Sequence, residues 1–164
     1  LHSSRLGADY FRFTAAEVLV ETADRLVAEE GVPSLQQYRL LLGALLALEA
    51  GDRPAPLIVD SYLLRSLAVA GYAVSTTACA GCGDMDVRWF SPQGGGAACV
   101  SCRTSGSAQL GPTEAAHIGA LLAGEWEAAL AADRAVAQRV DGMVVAYATW
   151  HLDRALRSLP YFER

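Results

Sequence analysis

The sequence predicts a mainly α protein, a helical bundle interrupted once by a short cysteine-bearing β-hairpin. Three observations carry this. Apolar residues recur at helical spacing through most of the 164-residue chain, glycine and proline punctuate the gaps between these runs, and the 4 cysteines all fall in one glycine-rich stretch. A chain of this length at 52% hydrophobic residues builds one helical body with a small inserted module rather than two full domains. The expected division is a first helical part over 1–74, a cysteine module over 75–106 and a second helical part over 107–164.

Taken in order, Thr14-Ala15-Ala16-Glu17 has the form of a capping box. Val18, Leu19, Thr22, Leu26 and Val27 then follow at helical spacing until Gly31-Val32-Pro33 stops the run. Ser34 to Gln37 repeats the capping signature and leads into Tyr38, Leu41, Leu42, Leu45, Leu46 and Leu48, closed by Gly51 and Pro54. The third run, Leu57 to Ala70, is apolar on most of its faces and belongs in the middle of a bundle. After the cysteines, Thr113 is placed to cap a short helix with Ile118, Leu121 and Leu122, broken at Gly124. A second short segment follows from Glu125. The last run starts near Asp133 and carries Val136, Val140, Met143, Val144, Tyr147, Trp150, His151, Arg154, Leu156 and Arg157, with Pro160 near its end. Five or six helices result.

The cysteines form two matched turns, Cys79-Ala80-Gly81-Cys82 and Cys99-Val100-Ser101-Cys102. A tetrahedral ion needs four soft thiolates converging on one point, and each C-x-x-C turn supplies two. Val87 to Ser91 reads as extended, Pro92 to Gly96 as a turn, and Ala97-Ala98-Cys99 as the return, which brings the second pair beside the first. The expectation is a zinc ribbon in which Cys79, Cys82, Cys99 and Cys102 bind one structural Zn2+, and from which the metal loop projects as an appendage. Disulfides or a dithiol redox centre would use the same residues. Redox C-x-x-C pairs, however, open a helix within a βαβ pattern, whereas these flank a hairpin. His2, His117 and His151 lie far from the pairs in sequence, and four thiolates already complete the shell, so no position is left for a catalytic water. His117 and His151 are each read as a satisfied core or surface residue.

The formal net charge of −5, with no basic patch, argues against strong binding to nucleic acid by counterion release. Every one of the 13 cations is arginine, a compositional bias on which no function is built. Neither a signal peptide nor an apolar run long enough to span a bilayer is present. Paired thiols fit a reducing compartment. The chain begins at Leu1 without a methionine and is read as a piece of something longer.

Several strings in their order resemble the RecO family of DNA repair proteins. They are Leu40 to Leu45, Ser61 to Leu67, Cys79-Ala80-Gly81-Cys82-Gly83 with Phe90-Ser91, Gly95-Gly96, Cys99 and Cys102, and Trp150-His151-Leu152 with Leu156 to Leu159. The resemblance runs from about Tyr10 to the C-terminus. It implies a cytoplasmic, nucleoid-associated recombination mediator, not an enzyme. Such a protein has an N-terminal OB-fold that binds single-stranded DNA, and a helical domain that carries the zinc module. It implies as partners RecR and the acidic tail of the single-stranded DNA-binding protein, with roles in loading the RecA recombinase and annealing strands. This chain corresponds to the helical part alone.

Two sets of side chains are candidates for contacts. Arg88, Trp89 and Arg103 sit in or beside the ribbon, where they either stack on bases or neutralise and cover a metal centre of about −2 charge. Trp150, Arg154 and Arg157, with Tyr161 near the same stripe, offer guanidinium and apolar surface to an acidic peptide with an apolar end; alternatively the arginines only complement a helix C-terminus. An unrelated zinc-ribbon adaptor of the transcription machinery would share the cysteine geometry. A redox-regulated enzyme or chaperone is the third class, but no P-loop, nucleophile elbow or dinucleotide fingerprint accompanies the thiols.

Overall fold

In the computed structural model of the chain, residues 7, 9–26, 34–152 and 155–162 are described; His2, Val27, the stop at Gly31-Val32-Pro33 and Arg154 lie outside them. The described residues form α1 (Tyr10–Leu26), α2 (Leu35–Ala50), α3 (Ala55–Val69), β1 (Trp89–Ser91), β2 (Gly96–Ala98), β3 (Ala108–Gln109), α4 (Pro112–Ala123), α5 (Trp126–Leu130), α6 (Arg134–His151) and a 3-10 turn, Leu159–Tyr161. A mainly α body with an inserted cysteine hairpin is what the periodicity predicts.

Helix α1 begins before the expected capping box. Asp9 caps it, its Oδ1 accepting from the backbone N–H groups of Phe11 and Arg12 at 3.0 and 3.3 Å. Thr14 lies buried inside the helix and its hydroxyl bonds the Tyr10 and Phe11 carbonyls, each at 3.1 Å. Its hydroxyl is thus satisfied by the preceding turn, as mid-helix threonines allow.

Ser34 does cap α2, accepting from the Gln37 N–H at 3.4 Å. The Gln37 side chain does not turn back to complete a box. It donates instead to the Ser66 carbonyl at 2.8 Å and ties α2 to α3. Helix α2 lies at the margin, with only Gln37 and Leu48 buried, and Tyr38 and Leu46 exposed.

Helix α3 is the hub. Ile58, Val59, Tyr62, Leu63, Leu64 and Leu67 are all buried, and the helix packs against α1, α2, α4 and α6. Its Ser61 hydroxyl, also buried, donates to the Leu121 carbonyl of α4 at 2.7 Å. A helix apolar around most of its circumference has no face to give to water, which is why it takes the centre.

The start of α4 falls at Pro112 with no side-chain cap; Thr113 bonds the Glu114 carboxylate at 3.1 Å instead. Asp133 caps α6 through the Ala135 N–H at 2.7 Å, as the sequence implies. Helix α6 ends at His151, short of the expected run through Arg157 toward Pro160. The chain turns there and buries Leu156 and Phe162, and Phe162 packs on Phe11 at 5.1 Å between ring centroids. Glu21 of α1 fixes the returning segment, accepting from the N–H groups of Arg157 and Ser158 at 2.9 Å and from the Ser158 hydroxyl at 2.6 Å. Burial of two large apolar side chains plus three hydrogen bonds to a carboxylate outweighs continuation of an exposed helix.

The three strands form an antiparallel sheet in the order β2-β1-β3. The hairpin follows the expected pattern, with Trp89 opposite Ala98, Phe90 opposite Ala97 and Ser91 opposite Gly96. Strand β3 is two residues long and exposed, so no alternation marks it in the sequence. The expectation of an appended loop needs correction. Phe90, only 1% exposed, shares one core with Val74, Ala97, Leu110 and the helices, and its ring lies 5.9 Å from that of Tyr147 in α6. Ser75 adds a second tie, donating to the Gly95 carbonyl at 2.9 Å and accepting from Ala97 at 2.8 Å. Glycine is required at position 96. Its φ is +113°, and a β-carbon there would lie 2.5 Å from the Ser75 carbonyl oxygen. The ribbon is seated in the bundle because a module this small has too little apolar surface for a core of its own.

Candidate metal centre

Each cysteine turn is closed by its own backbone. In the first, the Cys79 N–H donates to the Asp84 carbonyl at 2.7 Å and the Gly83 N–H to the Cys79 carbonyl at 2.8 Å. In the second, the N–H groups of Cys102 and Arg103 reach the Cys99 carbonyl at 3.3 and 3.1 Å. A bond from the Ala80 N–H to the Ala97 carbonyl, 2.9 Å, holds the first turn against β2, the strand that runs into Cys99. The hairpin register therefore sets the distance between the pairs.

The four Sγ atoms lie within 4.8 Å of one another, and those of Cys82 and Cys99 are 3.7 Å apart. A tetrahedron with Zn–S bonds near 2.3 Å has edges of about 3.8 Å, so the sulfurs stand close to the positions that ion needs. All four are free thiols rather than cystines. Gly81 permits this approach, since a β-carbon there would sit 3.3 Å from the Cys102 sulfur. The sequence reading of Cys79, Cys82, Cys99 and Cys102 as one cluster matches the geometry, and no other group of three or more candidate ligands is drawn together among the described residues.

Electrostatics point the same way. Backbone N–H groups, first that of Cys99 and then those of Cys82 and Gly81, outweigh burial and bring Cys79 down to about 6. The neighbouring sulfurs of Cys82, Cys99 and Cys79 push Cys102 up to about 12. One thiolate forms readily and opposes the others, a conflict that a divalent cation removes. The donor set therefore fits a soft or borderline ion such as zinc in a closed, structural site.

Neither described histidine joins the cluster. His117 is buried in α4 with both ring nitrogens unpartnered, contrary to the expectation of a satisfied residue. His151 packs between Tyr72 and Tyr147, its ring tilted against both at 4.8 and 4.3 Å between centroids, and its Nε2 is likewise unpartnered.

Trp89 packs against Cys79, Ala98 and Cys99, and the Arg103 guanidinium lies 4.3 Å from its ring centroid. The two residues thus form one unit over the metal turns. Arg88 is held apart from them by the exposed Asp86 in a two-pronged ion pair at 2.9 and 3.1 Å. Trp150 and Arg157 occupy different depressions. Trp150, 52% exposed, lies with Pro92, Gln93 and Gly106, whereas Arg157 lies among Phe13, Glu17, Glu21 and Asp24. The end of α6 at His151 explains the separation, because Arg157 no longer shares its helical stripe.

Sequence reasoning missed a cavity of about 280 Å³ between α2 and α3, lined by Arg39, Arg53 and Arg65 together with Tyr62 and Trp126. The available signal was Arg65, a cation inside the otherwise leucine-rich run of α3.

Comparison with known proteins adds two findings. The model of a family described as Recombination protein O C terminal matches residues 7–160. Curated relatives carrying the name DNA repair protein RecO are similar over almost the whole chain. The one from a Nocardioides species is 50% identical over 166 residues, covering 99% of this chain and 68% of its own length. That from Frankia casuarinae is 41% identical, with coverage of 99% and 68%. The Streptomyces coelicolor protein is 46% identical, with coverage of 95% and 63%. The chain thus spans about two thirds of the length of these relatives.

Proposed function

Because the chain belongs to the RecO family, we propose that it acts in DNA repair and recombination as the C-terminal part of a mediator, a scaffold for protein partners rather than an enzyme. In this reading the helical body with its ribbon contacts RecR and the acidic tail of the single-stranded DNA-binding protein, and so assists RecA loading and strand annealing in the cytoplasm at the nucleoid. Single-stranded DNA is engaged mainly by an OB-fold outside this chain. Zinc on Cys79, Cys82, Cys99 and Cys102 serves structure. The observation that carries the scaffold reading is the ribbon sharing one core with the bundle through Phe90 in a chain of net charge −5: a rigid surface with too little positive charge to hold DNA by itself.

Trp150 is the strongest of the proposed tail contacts, since it is exposed beside a depression walled by Pro92 and Gly106. Arg154 and Arg157 are the cations of the same proposal, although Arg157 faces three acidic neighbours, Glu17, Glu21 and Asp24. Contact of Arg88, Trp89 and Arg103 with single-stranded DNA is its subordinate part, supported by the cation–aromatic pair of Arg103 and Trp89. Calorimetry of the intact protein with RecR, and separately with the acidic tail peptide, tests the reading. Saturable binding of both is expected, with the peptide weakened about tenfold by Trp150→Ala. Absence of binding to either partner rules the scaffold out.

A further inference from the structure

The cavity between α2 and α3 has a composition at odds with the rest of the molecule. Acidic residues outnumber basic ones in the chain, 18 to 13, yet three arginines and no carboxylate line this space. Arg39 and Arg65 make no ion pair among the described residues, and Arg53 meets only its neighbour Asp52, at 3.7 Å and outside the wall. An anion entering this space would meet three cations and no carboxylate.

A second observation is independent of charge. Tyr62 is 3% exposed and lines the same cavity, with its hydroxyl closed off from solvent beneath the wall. The Arg53 guanidinium is positioned by the Trp126 ring, 4.8 Å from its centroid. The mouth is clear, since a β-carbon on Gly43 would meet nothing within 4 Å.

We propose that this cavity binds a phosphate monoester or a diphosphate, the terminal group of a free nucleotide or of a 5′-phosphorylated strand. Guanidinium forks from Arg39, Arg53 and Arg65 would pair with its oxygens. A carboxylate carries one charge and leaves most of the three cations unanswered. A phosphate terminus carries about two and presents three oxygens. A space of about 280 Å³ admits one or two phosphate groups but not a duplex. The site lies apart from the metal turns and does not depend on the partner contacts proposed above.

Isothermal titration of the intact protein with inorganic pyrophosphate, ADP, and oligonucleotides with 5′-phosphate or 5′-hydroxyl ends tests this. Pyrophosphate should bind saturably at one site, and Arg65→Gln should weaken it on the order of tenfold. Gly43→Leu should block the mouth without touching a cation, which covers the case of an arginine variant that fails to fold. Tighter binding of ADP identifies a free nucleotide, whereas preference for the 5′-phosphorylated over the 5′-hydroxyl strand identifies a DNA end. The proposal is overturned by absence of saturable pyrophosphate binding, by binding indifferent to these substitutions, or by an acidic peptide that displaces pyrophosphate from the site.

Discussion

Truncation of Phe90 to alanine separates a ribbon built into the bundle from one merely attached to it. The ring is 1% exposed, lies in the common core and packs on Tyr147 at 5.9 Å. Emptying such a site costs about 3–5 kcal/mol, of which the aromatic pair accounts for about 1 kcal/mol. That is a large share of the roughly 5–15 kcal/mol that holds a domain of this size together. Phe90→Leu retains most of the volume and should cost less than about 1.5 kcal/mol. The assay is urea unfolding of the metal-loaded protein, followed by helical circular dichroism at 222 nm. The segment between α3 and α4 contributes no helix, so the helical signal reports on the bundle. The reasoning predicts that Phe90→Ala lowers the midpoint of the whole helical transition, with Phe90→Leu between it and the parent. A helical midpoint moved by less than about 0.5 kcal/mol, with only the metal site loosened, would refute the shared core.

The remaining predictions concern buried charge. Arg139 bonds Glu114 through Nε at 2.8 Å, and Glu114 is 6% exposed, so Arg139→Ala leaves a buried carboxylate unpaired. Because Arg139 itself is about half exposed, the expected loss is about 2 kcal/mol in thermal or urea unfolding, and Glu114→Gln should cost less. Acid should destabilise the protein in two stages. Burial holds His117 below its ordinary 6.5, so the unfolded chain takes up the proton first and stability begins to fall as pH drops below 6.5. Despite burial, Ser158, the backbone N–H groups of Arg157 and Ser158, and Arg25 hold Glu21 at about 2, so its contribution is complete above 4.5 and is lost between 4.5 and 2. Unfolding midpoints measured from pH 8 to 2 check both stages; because burial also holds His151 below 6.5, His117→Leu should reduce the first stage and adding His151→Leu should abolish it.

The helices were legible where periodicity and punctuation agree. Ser34, Gly51, Gly124 and Asp133 mark ends that the structure keeps, and the all-round apolar α3 is the hub its composition requires. The cysteine cluster was legible because its spacing encodes a coordination geometry with few alternatives. Tertiary contacts defeated the rest. Thr14 reads as a cap from its neighbours but lies inside α1, because Asp9 caps five residues earlier. The end of α6 depends on Glu21, more than a hundred residues away, receiving Arg157 and Ser158. The joining of ribbon to bundle runs through Phe90, with Val74, Ala97 and Leu110 beside it, and the partner of Phe90, Tyr147, lies in the last helix. The arginine cavity is assembled from three separate segments, none with a pattern of its own.

Metal content measured together with thiol reactivity tests the four-sulfur centre most directly. The account predicts one zinc per chain by native mass spectrometry, with Cys79, Cys82, Cys99 and Cys102 resisting alkylation until a chelator strips the ion, and all four modified afterwards. A metal-free, fully folded protein whose four thiols react at once, or whose cysteines are joined as disulfides, would contradict it.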